Sequence, residues 1–149
     1  MNCTIDRGAV KDTFSRIVTT LHTQLIRRTG GKLGGHMFKQ PMMLLTTTGR
    51  KSGQPRVTPL LCIRDSDRYL AIGSNGGDDR TPQWVQNLLA NPEASIELEG
   101  ETIPVRATIA TPEEKKVLWP KATAAYKGYD GYQRKTSRDI PVVILTPQR

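Results

Sequence analysis

From Pro41 onward the chain is a succession of short apolar or β-branched segments separated by glycine, proline, aspartate and asparagine, and this punctuation limits the folds open to it. Met42 to Thr48 is the first segment and Arg56 to Arg64 its return, joined by Gly49-Arg50-Lys51-Ser52-Gly53-Gln54-Pro55. Asp65-Ser66-Asp67 reads as a tight turn into Arg68 to Ser74, which completes a three-stranded antiparallel meander. Ala94 to Leu98 and Thr102 to Ile109 form a second hairpin around Glu99-Gly100-Glu101, and Pro141 to Thr146 is a final strand. Thr81 and Pro82 predict an N-cap and first turn for a helix over Gln83 to Ala90, which Asn91-Pro92 ends. Thr111-Pro112-Glu113-Glu114 supplies a capping box and a first-turn proline for a helix into the 120s. Hairpins with helices between them predict an α+β protein built on a closed or nearly closed antiparallel barrel.

Ahead of the strands, Val10, Phe14, Ile17, Val18, Leu21, Leu25 and Ile26 recur at helical spacing, and Thr29-Gly30-Gly31 stops the pattern. This N-terminal amphipathic helix has two uses open to it: packing on the barrel, or lying on an anionic bilayer with Arg16, His22, Arg27 and Arg28 toward the lipid. At 149 residues, without repeat or linker, the chain reads as a single domain. Residues 1–35 are the N-terminal helix and a glycine-rich loop, and residues 36–149 the barrel core.

Cys3 and Cys62 are far apart and stand in no ligand cluster, as do His22 and His36, so neither a disulfide framework nor a metal site is expected. No apolar stretch approaches a membrane span or a signal-peptide core, which makes the cytosol the expected compartment, with peripheral attachment at the inner membrane face left open. The net charge of +8 speaks about partners: nucleic acid, an anionic surface or a polyanionic small ligand.

Three segments could carry chemistry. The loop after Thr48 gathers Arg50, Lys51, Ser52 and Arg56 between two glycines, a pattern suited to an anion, although a solvated hairpin loop would look the same. Gly73-Ser74-Asn75-Gly76-Gly77 leads from a strand into the helix at Gln83, where a flat ligand could meet backbone donors, or where a plain connector could run. Tyr126, Tyr129 and Tyr132 are three of the four tyrosines. They suit an aromatic ligand or carbonyl acceptor, or equally an aromatic core stripe, and Gly128 and Gly131 argue against a tightly packed helix there. Trp84 and Trp119 are expected in the core. No Ser-His-Asp or Cys-His grouping is evident, so an enzyme of this sequence would take its reactive atoms from a cofactor.

Leu44-Leu45-Thr46-Thr47-Thr48-Gly49-Arg50-Lys51-Ser52-Gly53-Gln54-Pro55-Arg56 resembles the deazaflavin-dependent nitroreductase family. So do Pro82-x-Trp84-x-x-Asn87-Leu88-x-Ala90-Asn91-Pro92 and Arg138-x-Ile140-Pro141-Val142-Val143, and the likeness runs from about residue 40 to the C-terminus. The resemblance implies a split β-barrel with flanking helices, and reduced coenzyme F420 as hydride donor to a quinone, nitro compound or unsaturated lactone. It implies that Arg50, Lys51, Ser52 and Arg56 hold the coenzyme's phosphate and acidic tail. By the same likeness Val57, Thr58, Pro59, Leu60, Leu61, Ile72, Gly73, Ser74 and Asn75 line the deazaflavin, with Gln83, Trp84, Val85, Gln86 and Asn87 from the helix start. Tyr126, Tyr129 and Tyr132 border the acceptor, Tyr129 nearest the coenzyme, and Ser74 with a tyrosine is expected to donate to the oxygen that gains charge. Asn75 and Leu61 stand where the well-known nitroreductase has lysine and tyrosine, so prodrug activation is not expected.

The coenzyme's anionic groups give the net charge a partner that is neither nucleic acid nor membrane, and a monomer is expected. Alternatives with the same fold are a flavin mononucleotide or haem protein and a non-catalytic carrier of deazaflavin or lipid. A basic nucleic-acid-binding barrel fits less well, because the aromatics are few and clustered.

Overall fold

The computed structural model describes residues 36–37 and 40–148; the N-terminal helix read from the sequence lies outside them. The strands are β1 (His36–Met37), β2 (Gln40–Thr48), β3 (Pro55–Leu61), β4 (Ile63–Asp65), β5 (Arg68–Ile72), β6 (Glu93–Leu98), β7 (Glu101–Ile109) and β8 (Val142–Pro147). Between them lie a 3-10 turn at Asn75–Gly77 and the helices α1 (Gln83–Ala90), α2 (Pro112–Ala125) and α3 (Gly128–Lys135).

All the pairings are antiparallel, and they run in a ring. β2 pairs with β6, β6 with β7, β7 with β8, β8 with β5 and β5 with β4. β4 continues from β3, and β3 returns to β2 over the full register from Met42↔Leu61 to Thr48↔Pro55. The return strand read as continuous from Arg56 to Arg64 is therefore two strands. The break falls at Cys62, whose N–H donates to Pro41 O at 2.8 Å while the chain changes partner from β2 to β5. The result is a split barrel in which the edge of β3 away from β2 has no ladder among the described residues.

Alternation along the strands sorts side chains into two cores. Met43, Leu45, Ala71, Ile96, Val105, Val143 and Leu145 fill the barrel, which α1 closes with Trp84, Val85 and Leu88. On the opposite face Met42, Leu44, Leu70, Ile72, Val142 and Ile144 pack under α2 and α3 through Leu118, Ala122 and Tyr129. The consecutive apolar run Met42-Met43-Leu44-Leu45 is buried throughout because β2 is covered on both faces.

The capping box of α2 is present as read, with Thr111 Oγ1 accepting from the Glu114 N–H and Glu114 from the Thr111 N–H. Thr81 is not the N-cap of α1. Pro82 holds that place in an extended conformation, and the Thr81 carbonyl instead accepts from Gln86 Nε2 at 3.2 Å. Trp84 is buried as expected. Trp119 is only half-buried, and its indole N–H donates to Asp130 at 2.8 Å.

Candidate functional site

The basic loop is a tight turn, closed by Gly49 N–H to Gln54 O and Gly53 N–H to Gly49 O. Arg50 points back onto α1. Its main-chain N–H and its Nη1 both donate to Asn87 Oδ1 at 3.2 Å, and Nη1 also donates to Gln83 Oε1 at 2.7 Å. Asn87 in turn donates from Nδ2 to the buried Thr47 hydroxyl at 3.1 Å. The guanidinium is thus held by neutral acceptors, which leave its charge uncompensated there. Ser52 Oγ accepts from the Gln54 N–H and from Arg56 Nη2, keeping Arg56 beside the loop, while Lys51 is exposed.

Strand β3 leaves this loop. Val57 and Leu61 join the core beneath the tyrosines and Leu60 packs toward the barrel, with Thr58 and Pro59 half-buried between them. From α1, Trp84 and Val85 turn into the barrel, so only Gln83, Gln86 and Asn87 carry polar side chains toward its other faces.

The glycine loop meets α1 at Gly73, where an added Cβ would lie 2.7 Å from Pro141 Cγ and 3.0 Å from Val85 Cγ2. Gly77 adopts φ +83° and sits against α3, 3.0 Å from Tyr132 O on the same measure. Ser74 is buried, and its hydroxyl has no hydrogen-bond partner among the described residues. Asn75 is exposed, with its side chain turned to Arg80 O at 3.2 Å.

The tyrosines form one cluster, but not as a helical stripe. Tyr126 lies at the end of α2, before α3 begins, and folds back over Gly128. Its ring meets that of Tyr129 edge-on with centroids 5.1 Å apart, and its hydroxyl lies 3.1 Å from that of Tyr132. Tyr129 is the buried member, and desolvation pushes its phenol up to about 12. The hydrogen bond with Tyr132 raises the Tyr126 phenol above its usual value. The Tyr126 and Tyr129 phenols, both raised, therefore stay protonated at neutral pH. The expectation that the glycines loosen this segment does not hold: Gly128 is where the Tyr126 ring fits, and α3 packs with Tyr129 in the core.

These pieces are joined in series, from basic loop to α1 through Arg50, from α1 to glycine loop at Gly73, and from glycine loop to α3 at Gly77. Sequence reading missed Thr47 and Arg138, which hold two of the joints. Arg138 Nη2 donates to Gly73 O and Ser74 O, and Nε to Asp78 O. Both residues lie inside the quoted motifs, and that was their only signal. No grouping of His, Cys, Asp or Glu suited to a metal occurs among the described residues, nor does any helix there have the length and apolarity to cross a membrane.

A split barrel whose open strand is flanked by basic, hydroxyl and phenol donors is the build of a protein that borrows a cofactor for its chemistry. The match to known proteins makes this specific. The chain belongs to the F420H(2)-dependent quinone reductase family, whose model matches residues 18–147. It is accordingly an oxidoreductase, with reduced coenzyme F420 as cofactor. An F420H(2)-dependent quinone reductase of Mycobacterium tuberculosis is 41% identical over 130 residues, 85% of this chain and 87% of the relative. The solved structure of an F420-H2 dependent reductase is 40% identical, covers 70% of this chain and 93% of its own, and superposes with a TM-score of 0.66. A second solved structure, described as a domain-swapped dimer, is 34% identical, covers 93% of this chain and 97% of its own, and has a TM-score of 0.68.

The residues present fit an anionic cofactor with a flat ring. Among the described residues no carboxylate beside Arg50 neutralises its charge, and Ser74 offers a buried hydroxyl still wanting a partner.

Proposed function

We propose that this protein reduces a quinone by direct hydride transfer, with the acceptor bordered by the tyrosine cluster. When bound, the reduced deazaflavin supplies the hydride from its C5. Arg50, Lys51, Ser52 and Arg56 hold the coenzyme's anionic groups, and Gln83 and Asn87 fix Arg50 in place for them. Val57, Thr58, Pro59, Leu60 and Leu61 provide the surface on which the ring rests, with Ile72, Gly73 and Asn75 at its far end. Ser74 donates to the acceptor oxygen that gains charge, and Tyr126 or Tyr132 donates to the same oxygen or delivers the final proton. Tyr129 supports those two rings from below. Holding the two reactants in contact supplies most of the rate.

The observation that carries this reading is the Ser74 hydroxyl, without a hydrogen-bond partner among the described residues and buried on a loop packed against both α1 and the tyrosine helix. The test is a fluorescence titration with coenzyme F420 in wild type and in Arg50→Ala/Lys51→Ala, followed by turnover with menadione. Saturable binding that is lost in the double variant, with menadione reduction in wild type, is the expected result. Binding without reduction of any quinone would replace the enzyme with a carrier. Absence of binding by folded wild type would bring flavin mononucleotide and haem forward.

A further inference from the structure

Three backbone carbonyls of the glycine loop converge on one side chain. Arg138 Nη2 donates to Gly73 O at 3.1 Å and to Ser74 O at 2.9 Å, and Nε donates to Asp78 O at 2.9 Å. Arg138 lies between α3 and β8, far from the loop in sequence. A second strap runs beside it, since Thr136 Oγ1 donates to Asp79 Oδ1 at 2.7 Å and accepts from the Arg138 N–H at 3.3 Å. The loop includes three residues with positive φ that invite alternative conformations, Asn75 at +46°, Gly76 at +64° and Gly77 at +83°. A planar fork with fixed donor directions can satisfy three carbonyls in one geometry, whereas an ammonium on a flexible stem cannot.

We propose that Arg138 is the positioning residue of this enzyme: it locks residues 73–79 against the tyrosine helix and so aims the Ser74 hydroxyl at the acceptor. The proposal rests on the reading of Ser74 as a donor to the acceptor oxygen. Ser74 is the residue whose carbonyl both Arg138 and the Gly77 N–H hold, so its backbone is fixed from two sides while its hydroxyl has no partner among the described residues. Arg138 itself reaches the acceptor only through Ser74.

Arg138→Lys, Ser74→Ala and the double variant test it in two ways. In the free protein, hydrogen exchange at the amides of residues 74–79 should quicken about tenfold or more in Arg138→Lys, while the amides of β2 and β7 exchange as in wild type. Unchanged exchange in the loop overturns the lock. A general rise across the barrel would mark an ordinary stabilising residue and also overturns it. In turnover with menadione, Arg138→Lys should lower kcat about tenfold in the wild-type background and less than twofold in Ser74→Ala, with the affinity for coenzyme F420 within about threefold of wild type. Losses that multiply in the double variant overturn the aim through Ser74. Failure of wild type to bind the coenzyme would remove the proposed function alone, because the exchange measurement decides the lock without any ligand.

Discussion

The Asn87 carboxamide donates to the Thr47 hydroxyl at 3.1 Å, and this bond between α1 and β2 lies inside the protein with both residues buried. Its other end, Oδ1, accepts two donors from Arg50. One buried amide therefore fixes both the course of the basic loop and the direction of its guanidinium.

Asn87→Leu should for that reason do two separable things. It leaves the Thr47 hydroxyl unpaired in the interior, which costs about 1–3 kcal/mol of stability. It also releases Arg50, so the affinity for coenzyme F420 should fall. Combining it with Thr47→Val should recover much of the stability and none of the affinity. Thermal melts and fluorescence titrations on the three proteins would show this. Affinity restored along with stability would contradict the role of Arg50.

Acid should weaken the barrel through Asp65. This buried carboxylate on β4 is bonded by Lys121 of α2 and, at 2.8 Å, by Arg68 of β5, and those two hydrogen bonds hold its pKa below the ordinary value. A group whose folded pKa is depressed lends stability that is complete above its unfolded value near 3.9 and is lost as pH falls through the folded one. Wild type should therefore lose stability below about pH 4 more steeply than Asp65→Asn. Asp65→Asn should be the less stable protein at pH 7. Parallel curves from urea melts at pH 3–7 would show that Asp65 does not contribute.

The main lines of the fold follow from local chemistry that a sequence displays. Gly49 to Gln54, Ser66 and Gly100 mark turns, and the run Met42 to Leu45 marks a strand buried on both faces. The basic loop, the glycine loop and the tyrosines are visible for the same reason, as unusual local composition. The joints between them are not. Nothing local to Cys62 announces the change of partner there, since the residues on either side are equally good strand formers. Arg138 reads as one cation among 22 until the chain brings the glycine loop back to it. Thr47 looks like its neighbours Thr46 and Thr48, and is distinguished only by the side of β2 on which α1 lands.

Tyrosine ionisation should report the aromatic cluster directly. The Tyr126 phenol is raised chiefly by its hydrogen bond with Tyr132, so Tyr132→Phe should bring it down toward its ordinary value near 10. Tyr129 owes its value of about 12 mainly to burial and should stay well above the ordinary value. Ultraviolet titration of the two proteins would resolve this, and a Tyr126 that ionises at the same pH in both would mean that the hydroxyl pair does not form in solution.

Gly128 and Gly131 lie one turn apart in α3, yet the same substitution should act on them in opposite directions. A Cβ on Gly128 would lie 2.3 Å from Cζ of Tyr126 and 2.4 Å from its hydroxyl oxygen, so Gly128→Ala must drive the ring off the helix. A Cβ on Gly131 would meet nothing nearer than Arg134 Nη2 at 3.9 Å, and the residue does not need a positive φ. Gly131→Ala should therefore gain about 0.5–1 kcal/mol from helix propensity alone, with turnover unchanged. Gly128→Ala, at the first residue of α3, displaces a ring that packs on Tyr129 and bonds Tyr132, an overpacking that costs about 1–3 kcal/mol. Its near-ultraviolet circular dichroism should change, and menadione reduction should fall while coenzyme affinity stays close to wild type, because the basic loop is untouched. If Gly128→Ala were as stable and as active as Gly131→Ala, Tyr126 would have to spend its time away from the cluster, and a role for it over the acceptor would be lost.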